Sequence, residues 1–136
     1  MKSYKIEMIE GIGPVFSNKF KSLNIDTTFE LLENTKTLIQ RREISKKLDI
    51  SEKLILKFAI IAELSKIDKV GEEYSELLER SGITNTTELS LSNSEILMSK
   101  LQEVNTEKEL VRKMPTLVQI KEWIEDANKI PTVIEY

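Results

Sequence analysis

Apolar residues recur at three- and four-residue spacing along almost the whole chain, the period of a helix with one buried face. Between residues 51 and 66 they nearly close the circle: Leu54, Ile55, Leu56, Phe58, Ala59, Ile60, Ile61, Ala62 and Leu64. A helix apolar on almost every side is packed from several sides. This segment is therefore expected to be a central buried spine. A second stripe joins Leu117, Ile120, Trp123, Ile124 and Ala127, and it sends the tryptophan into the core. No run alternates long enough to predict a strand. The pattern predicts helices near 14–23, 28–34, 36–48, 51–66, 71–81, 86–91, 94–104 and 116–129, with a further helical turn near 107–112.

Polar residues at the edges of these segments sharpen the reading. Thr27-x-x-Glu30, Ser92-x-x-Glu95, Thr106-x-x-Glu109 and Thr116-x-x-Gln119 fit the capping box. In that motif two side chains satisfy N–H groups that a helix start leaves without partners. Asn85-x-x-Glu88 is a looser relative, and Ser51 can cap the spine. Pro14 sits in a first turn, where its missing N–H costs nothing.

The pattern also repeats. A shift of 58 places Gly13 on Gly71, Ile9 on Ile67, Phe16 on Tyr74, Phe20 on Leu78, Ile25 on Ile83 and Leu31 on Leu89. Farther on the register slips by seven, so that Phe58 meets Trp123 and Ala62 meets Ala127. Two copies are too few for an open solenoid. The expected architecture is all-α: two lobes, residues 1–66 and 67–136, closed into one body around the central helix.

Composition narrows the chemistry. The 136 residues contain neither Cys nor His, which removes disulfides, thiolate nucleophiles and the commonest general base and metal ligand. No phosphate-binding lysine loop and no calcium-loop spacing occurs, so no metal or cofactor is expected. An enzyme is not expected either. No apolar run approaches the length of a membrane span and no cleavable leader is recognisable, so a cytoplasmic protein without a membrane partner is expected. The net charge of −3 hides an asymmetry: residues 1–66 carry +3 and residues 67–136 carry −6. A polyanion would meet the first half.

Ile9-Glu10-Gly11-Ile12-Gly13 followed by a helix is the best candidate site. Glycines permit the positive dihedrals of a tight hairpin, and Ile12 would anchor the turn in the core. Amides at the hairpin and at the next helix start would point outward and could hold a phosphate. Lys19 and Lys21 follow, and Lys36, Arg41, Arg42, Lys46 and Lys47 form the densest basic stretch, with Lys53 and Lys57 beyond it. The same hairpin could also be a plain joint, since Glu10 is adjacent and Val15 brings no charge. At the second copy, Lys69 replaces the first glycine and Glu72, Glu73, Glu76 and Glu79 follow. That composition repels phosphate and fits a structural turn. No aromatic interleaves the basic stretch, so stacking on single-stranded bases is not expected. The apolar segment Thr132–Tyr136 could pair as a strand with Tyr4–Met8, fray, or grip a partner.

Several phrases resemble a known family: Ile9–Pro14, Thr28–Leu32, Leu48–Ser51, Ala62–Ile67, Val70–Glu79, Leu110–Pro115, and Trp123-Ile124 with Ala127. The chain is similar over roughly 6–131 to a bacterial domain-of-unknown-function family (4332) of tandem helix-hairpin-helix repeats. That resemblance implies the fold and no activity. More distantly, the hairpins resemble those of DNA-repair and polymerase-associated proteins. There a Gly-hydrophobic-Gly turn and an early basic residue hold backbone phosphate. Gly11, Ile12 and Gly13 match that turn, whereas Val15 and Lys69 depart from the pattern. The expected function is sequence-independent binding of DNA or another nucleic acid through Gly11, Ile12, Gly13, Lys19, Lys21, Arg41, Arg42, Lys46 and Lys47. The alternative is a protein–protein scaffold using the acidic half or the tail, with both hairpins purely structural.

Overall fold

Side chains at the helix starts set most of the architecture. A computed structural model describes residues 2–136. Its α-helices are α1 (Pro14–Lys21), α2 (Thr28–Thr35), α3 (Leu38–Leu48), α4 (Glu52–Ser65), α5 (Gly71–Arg80), α6 (Thr86–Ser90), α7 (Ser94–Lys108) and α8 (Leu117–Ala127). A single 3-10 turn, Ile6–Met8, precedes them. Thr27, Thr37 and Thr116 each complete a capping box, with Glu30, Gln40 and Gln119 reaching back. Ser51, Asn85 and Asn93 accept from the backbone of α4, α6 and α7. The fold is all-α, and the one β feature among the described residues is a bridge between Lys5 and Thr27.

Two expected starts move. Asn93, not Ser92, caps α7 by accepting from the Ile96 N–H at 2.9 Å. Thr106 lies inside α7, where its hydroxyl donates to the Gln102 carbonyl at 2.8 Å. The helix runs on to Lys108 and closes at Glu109, whose φ is +51°. No separate helical turn forms near 107–112. The Asn105 side chain explains this, because it accepts from the Val111 N–H and donates to the Val111 carbonyl. Those two bonds fold the following loop back onto α7.

α4 is the spine. Residues 58–65 of it are all buried, and it packs against α2, α3 and α5. Phe58 makes edge-type contacts with Phe16 and Phe20, with centroids 6.2 and 6.3 Å away. α8 packs against α6 and α7. Its Trp123 is fully buried, stands 5.1 Å from the Tyr74 ring, and donates Nε1–H to the Lys69 carbonyl at 3.1 Å. The buried apolar side chains of both halves form one continuous cluster.

The sequence repeat has a backbone counterpart. Asn24 (φ +61°) and Gly82 (φ +95°) lie 58 residues apart, each just beyond a helix. The same bond follows each: Ile25 N–H to the Phe20 carbonyl at 3.0 Å, and Ile83 N–H to the Leu78 carbonyl at 3.1 Å. Asn and Gly are the residues that enter this left-handed region most cheaply.

The segment 132–136 does not pair with Tyr4–Met8. That stretch is already held by Asp26–Thr28, through Ile6 N–H to the Asp26 carbonyl and Thr28 N–H to the Tyr4 carbonyl. The 132–136 segment runs instead over the α2–α3 joint, α3, α4 and α6. There the Glu135 N–H donates to the Lys36 carbonyl at 2.7 Å and Ile134 is buried.

Candidate nucleic-acid interface

Three isoleucines spaced by three, Ile6, Ile9 and Ile12, bury themselves beneath the first corner. Successive tight turns connect them: Ile9 N–H donates to the Ile6 carbonyl, and Ile12 N–H to the Ile9 carbonyl at 2.9 Å. Ile12 is thus the expected anchor, but its amide is spent inside the turn and does not face outward. Nor does the corner use positive dihedrals at Gly11 or Gly13. Gly11 sits close to the core, and a Cβ there would stand 3.1 Å from the Phe58 ring, tight enough that the ring would have to shift by a few tenths of an ångström. Gly13 is extended (φ −85°, ψ −171°), and the space around it is open.

Gly13 is the N-cap of α1 and supplies no side chain. Six of the other helices begin under a side-chain cap. α1 and α5, the two that follow the corners, do not. Pro14 has no N–H to offer. The first-turn amides of Val15 and Phe16 have no residue four positions back within the helix to bond. They sit at the positive end of the helix dipole, beside an exposed glycine.

An anion already borders this place. A depression of about 370 Å³ is lined by Gly13, Ser17, Lys21 and Glu7, among others. Glu7 Oε2 accepts from the Lys21 ammonium and from the Ser17 hydroxyl, each at 2.8 Å. These bonds, Lys21's first, pull the Glu7 carboxyl down to about 2. Lys21 is raised in turn, and Asp26 stands 3.8 Å from it. Glu7 and Ser17 escaped the sequence reading. They are ten residues apart, and the bend that joins them is not written in any local motif.

The remaining basic residues divide. Lys19 lies over the Phe16 ring at 5.7 Å and reaches the Asp49 carbonyl at 3.5 Å, which ties α1 to the end of α3. Lys46 and Lys47 are exposed on the last turn of α3. Arg42 is exposed and paired with Glu52 at 3.5 Å. Arg41 is a correction: it is 2% exposed and cannot reach a bound polyanion. Its Nη1 donates to the Thr35 and Lys36 carbonyls at 2.9 and 3.1 Å, and its Nη2 donates to the Glu135 carbonyl. Burial lowers its pKa.

The second corner is covered. Lys69 pairs with Glu122, and Trp123 holds the Lys69 carbonyl. Gly71 takes φ +50°, and a Cβ there would lie 2.7 Å from the Tyr4 hydroxyl. A larger depression, about 430 Å³, runs along α4 between Lys53, Leu54, Lys57, Ile60 and Glu79. Burial raises Glu79, and burial together with Glu10 raises Glu76. No group of three or more acidic side chains placed to hold a metal occurs among the described residues. No helix among them is long and apolar enough to cross a membrane.

These features define an all-α protein with an exposed, uncapped helix start beside surface lysines. Over residues 10–130 the chain matches the family described as Domain of unknown function (DUF4332), and it belongs to that family. No curated protein and no solved structure matches it.

Proposed function

We propose that this chain is a non-enzymatic nucleic-acid-binding protein that grips backbone phosphate without reading sequence. In this reading it is built from two helix-hairpin-helix lobes, residues 1–66 and 67–136, that share α4. The start of α1 holds one phosphate, and Lys19, Lys46 and Lys47 track the backbone beside it. The supporting observation is the uncapped, open start of α1 in a chain that caps six other helices with side chains. The charge of the first half, +3 against −6, points the same way. Contacts to phosphate alone position a duplex and carry no sequence information.

Gly13 offers a clean test. An Asp at this extended N-cap would bond the first-turn amides itself and would stabilise α1 by a few tenths of a kcal/mol over the resident glycine. The same carboxylate would exclude phosphate. Binding of a labelled duplex is followed by fluorescence anisotropy at two salt concentrations. We expect weak, salt-sensitive binding by wild type, at least a roughly tenfold loss in Gly13→Asp with thermal stability kept or raised, and near-normal binding in Gly13→Ala. Lys46→Glu with Lys47→Glu should weaken binding and flatten its salt dependence by about one unit per lysine. Absence of binding by wild type at low salt sinks the proposal. The scaffold reading then takes its place, supported by Leu91 and Ile96, which stand exposed in the acidic half.

A further inference from the structure

We propose that the crevice occupied by residues 132–136 is a peptide-binding site, and that its ligand is an extended partner segment of the pattern Thr-x-Ile-x-Tyr. The chain's own segment is the resident occupant. Two buried charged side chains build the site, one from α3 and one from α4.

Each of these side chains divides its bonding between the body and the segment. Arg41 fixes itself with Nη1 on the Thr35 and Lys36 carbonyls, and turns Nη2 to the Glu135 carbonyl. Glu63, fully buried, fixes Oε1 on the N–H and hydroxyl of Thr86 at 3.1 and 3.3 Å, and turns Oε2 to the Val133 N–H at 3.3 Å. The Lys36 carbonyl accepts from the Glu135 N–H between them. When the segment leaves, both side chains keep their own anchors. The crevice therefore stays formed, with one acceptor and one donor aimed at a peptide backbone.

The alternating side chains supply selectivity. Thr132 meets the hydroxyls of Thr86 and Thr87 at 3.1 and 2.8 Å, and also accepts from the Thr87 N–H. Ile134 is the one buried apolar side chain of the segment. The Tyr136 hydroxyl donates to the Thr84 carbonyl and accepts from the Asn85 amide. Val133 and Glu135 face outward. Ile134 is inserted, Thr132 is half-buried, and Tyr136 lies across the surface, exposed but held by its hydroxyl; main-chain bonds with pockets for alternate side chains are how extended peptides are held at a sheet edge. Here helices and a loop provide the edge. The family match ends at residue 130, before the segment begins. Tethering gives the resident segment an effective concentration on the order of a millimolar, so a partner binds well only when the segment is weakened or outcompeted.

The test uses the full chain carrying Ile134→Asp, with a fluorescein-labelled peptide of the sequence of residues 129–136 as the probe. We expect the variant to remain folded by far-UV circular dichroism and to bind the peptide at least tenfold more tightly than wild type does. The same peptide with its isoleucine changed to aspartate should not bind. Hydrogen exchange on wild type gives an independent reading: the Val133 and Glu135 amides should exchange by local opening, well ahead of the α4 amides. A folded variant that ignores the peptide overturns the proposal. So does exchange of those two amides only together with α4, or a variant that unfolds, since either would make the segment part of the core.

Discussion

Glu7 is more strongly depressed than the other lowered carboxyls, Glu30 and Glu95. Its carboxyl is held down to about 2, chiefly by the Lys21 bond and then by that of Ser17. A carboxyl depressed in the folded state adds stability above its unfolded pKa, near 4.5. It loses that contribution as pH falls from there toward 2. The pair is partly exposed, with 40% of the Glu7 side chain accessible, so the contribution is about 1 kcal/mol or less. Melting curves of wild type and Glu7→Gln should differ modestly at pH 7 and converge by about pH 2. A constant gap across that range would mean that the bonds do not persist in solution. Glu7→Gln also removes a carboxylate beside α1 and frees Lys21. In the proposed function it should tighten duplex binding several-fold, and weaker binding would place the phosphate elsewhere.

Helix starts were legible because their chemistry is local. Thr27, Ser51, Asn85 and Thr116 declare themselves within three residues of sequence, and each accepts from the amide three residues on. Thr37 with Gln40 has the same spacing, but it follows so closely on α2 that the sequence shows no loop between the two helices. Ser92 and Asn93 compete for one position, and cap strength hardly separates them. Arg41 failed for a different reason. Its charge suggests surface, yet it lies three and seven residues before Ile44 and Leu48 on the buried face of α3. That spacing was a readable sign of an inward side chain. Its third partner, Glu135, is 94 residues away and could not be read. At this scale the capping box of α8 is the sharpest check. Thr116→Ala removes the acceptor for the Gln119 N–H at 3.2 Å, while the backbone N–H of residue 116 keeps its bond to Gln119 Oε1 at 2.8 Å. It should cost about 1 kcal/mol, read as a lower urea midpoint at unchanged slope. Thr106→Ala, inside α7, should cost nothing comparable.

The two halves share their interior, and this sets how the whole molecule unfolds. α4 belongs to the first half by sequence, but it packs on α5 as well as on α2 and α3. Trp123, the only tryptophan, lies in the second half and bonds the corner that joins α4 to α5. Phe58 lies on α4 under Phe16, Phe20 and Gly11, in the first half. Phe58→Ala empties a fully buried site between these groups and should cost about 3–5 kcal/mol. If the core is one cooperative unit, Trp123 fluorescence must report that loss in full although the mutation is in the other half. The fluorescence and far-UV dichroism midpoints should then fall together. Two lobes that fold independently would leave the Trp123 transition in place while the dichroism split into two steps. The sequence repeat alone admits both behaviours. The shared helix favours the first, because removing its packing on one side withdraws support from the other.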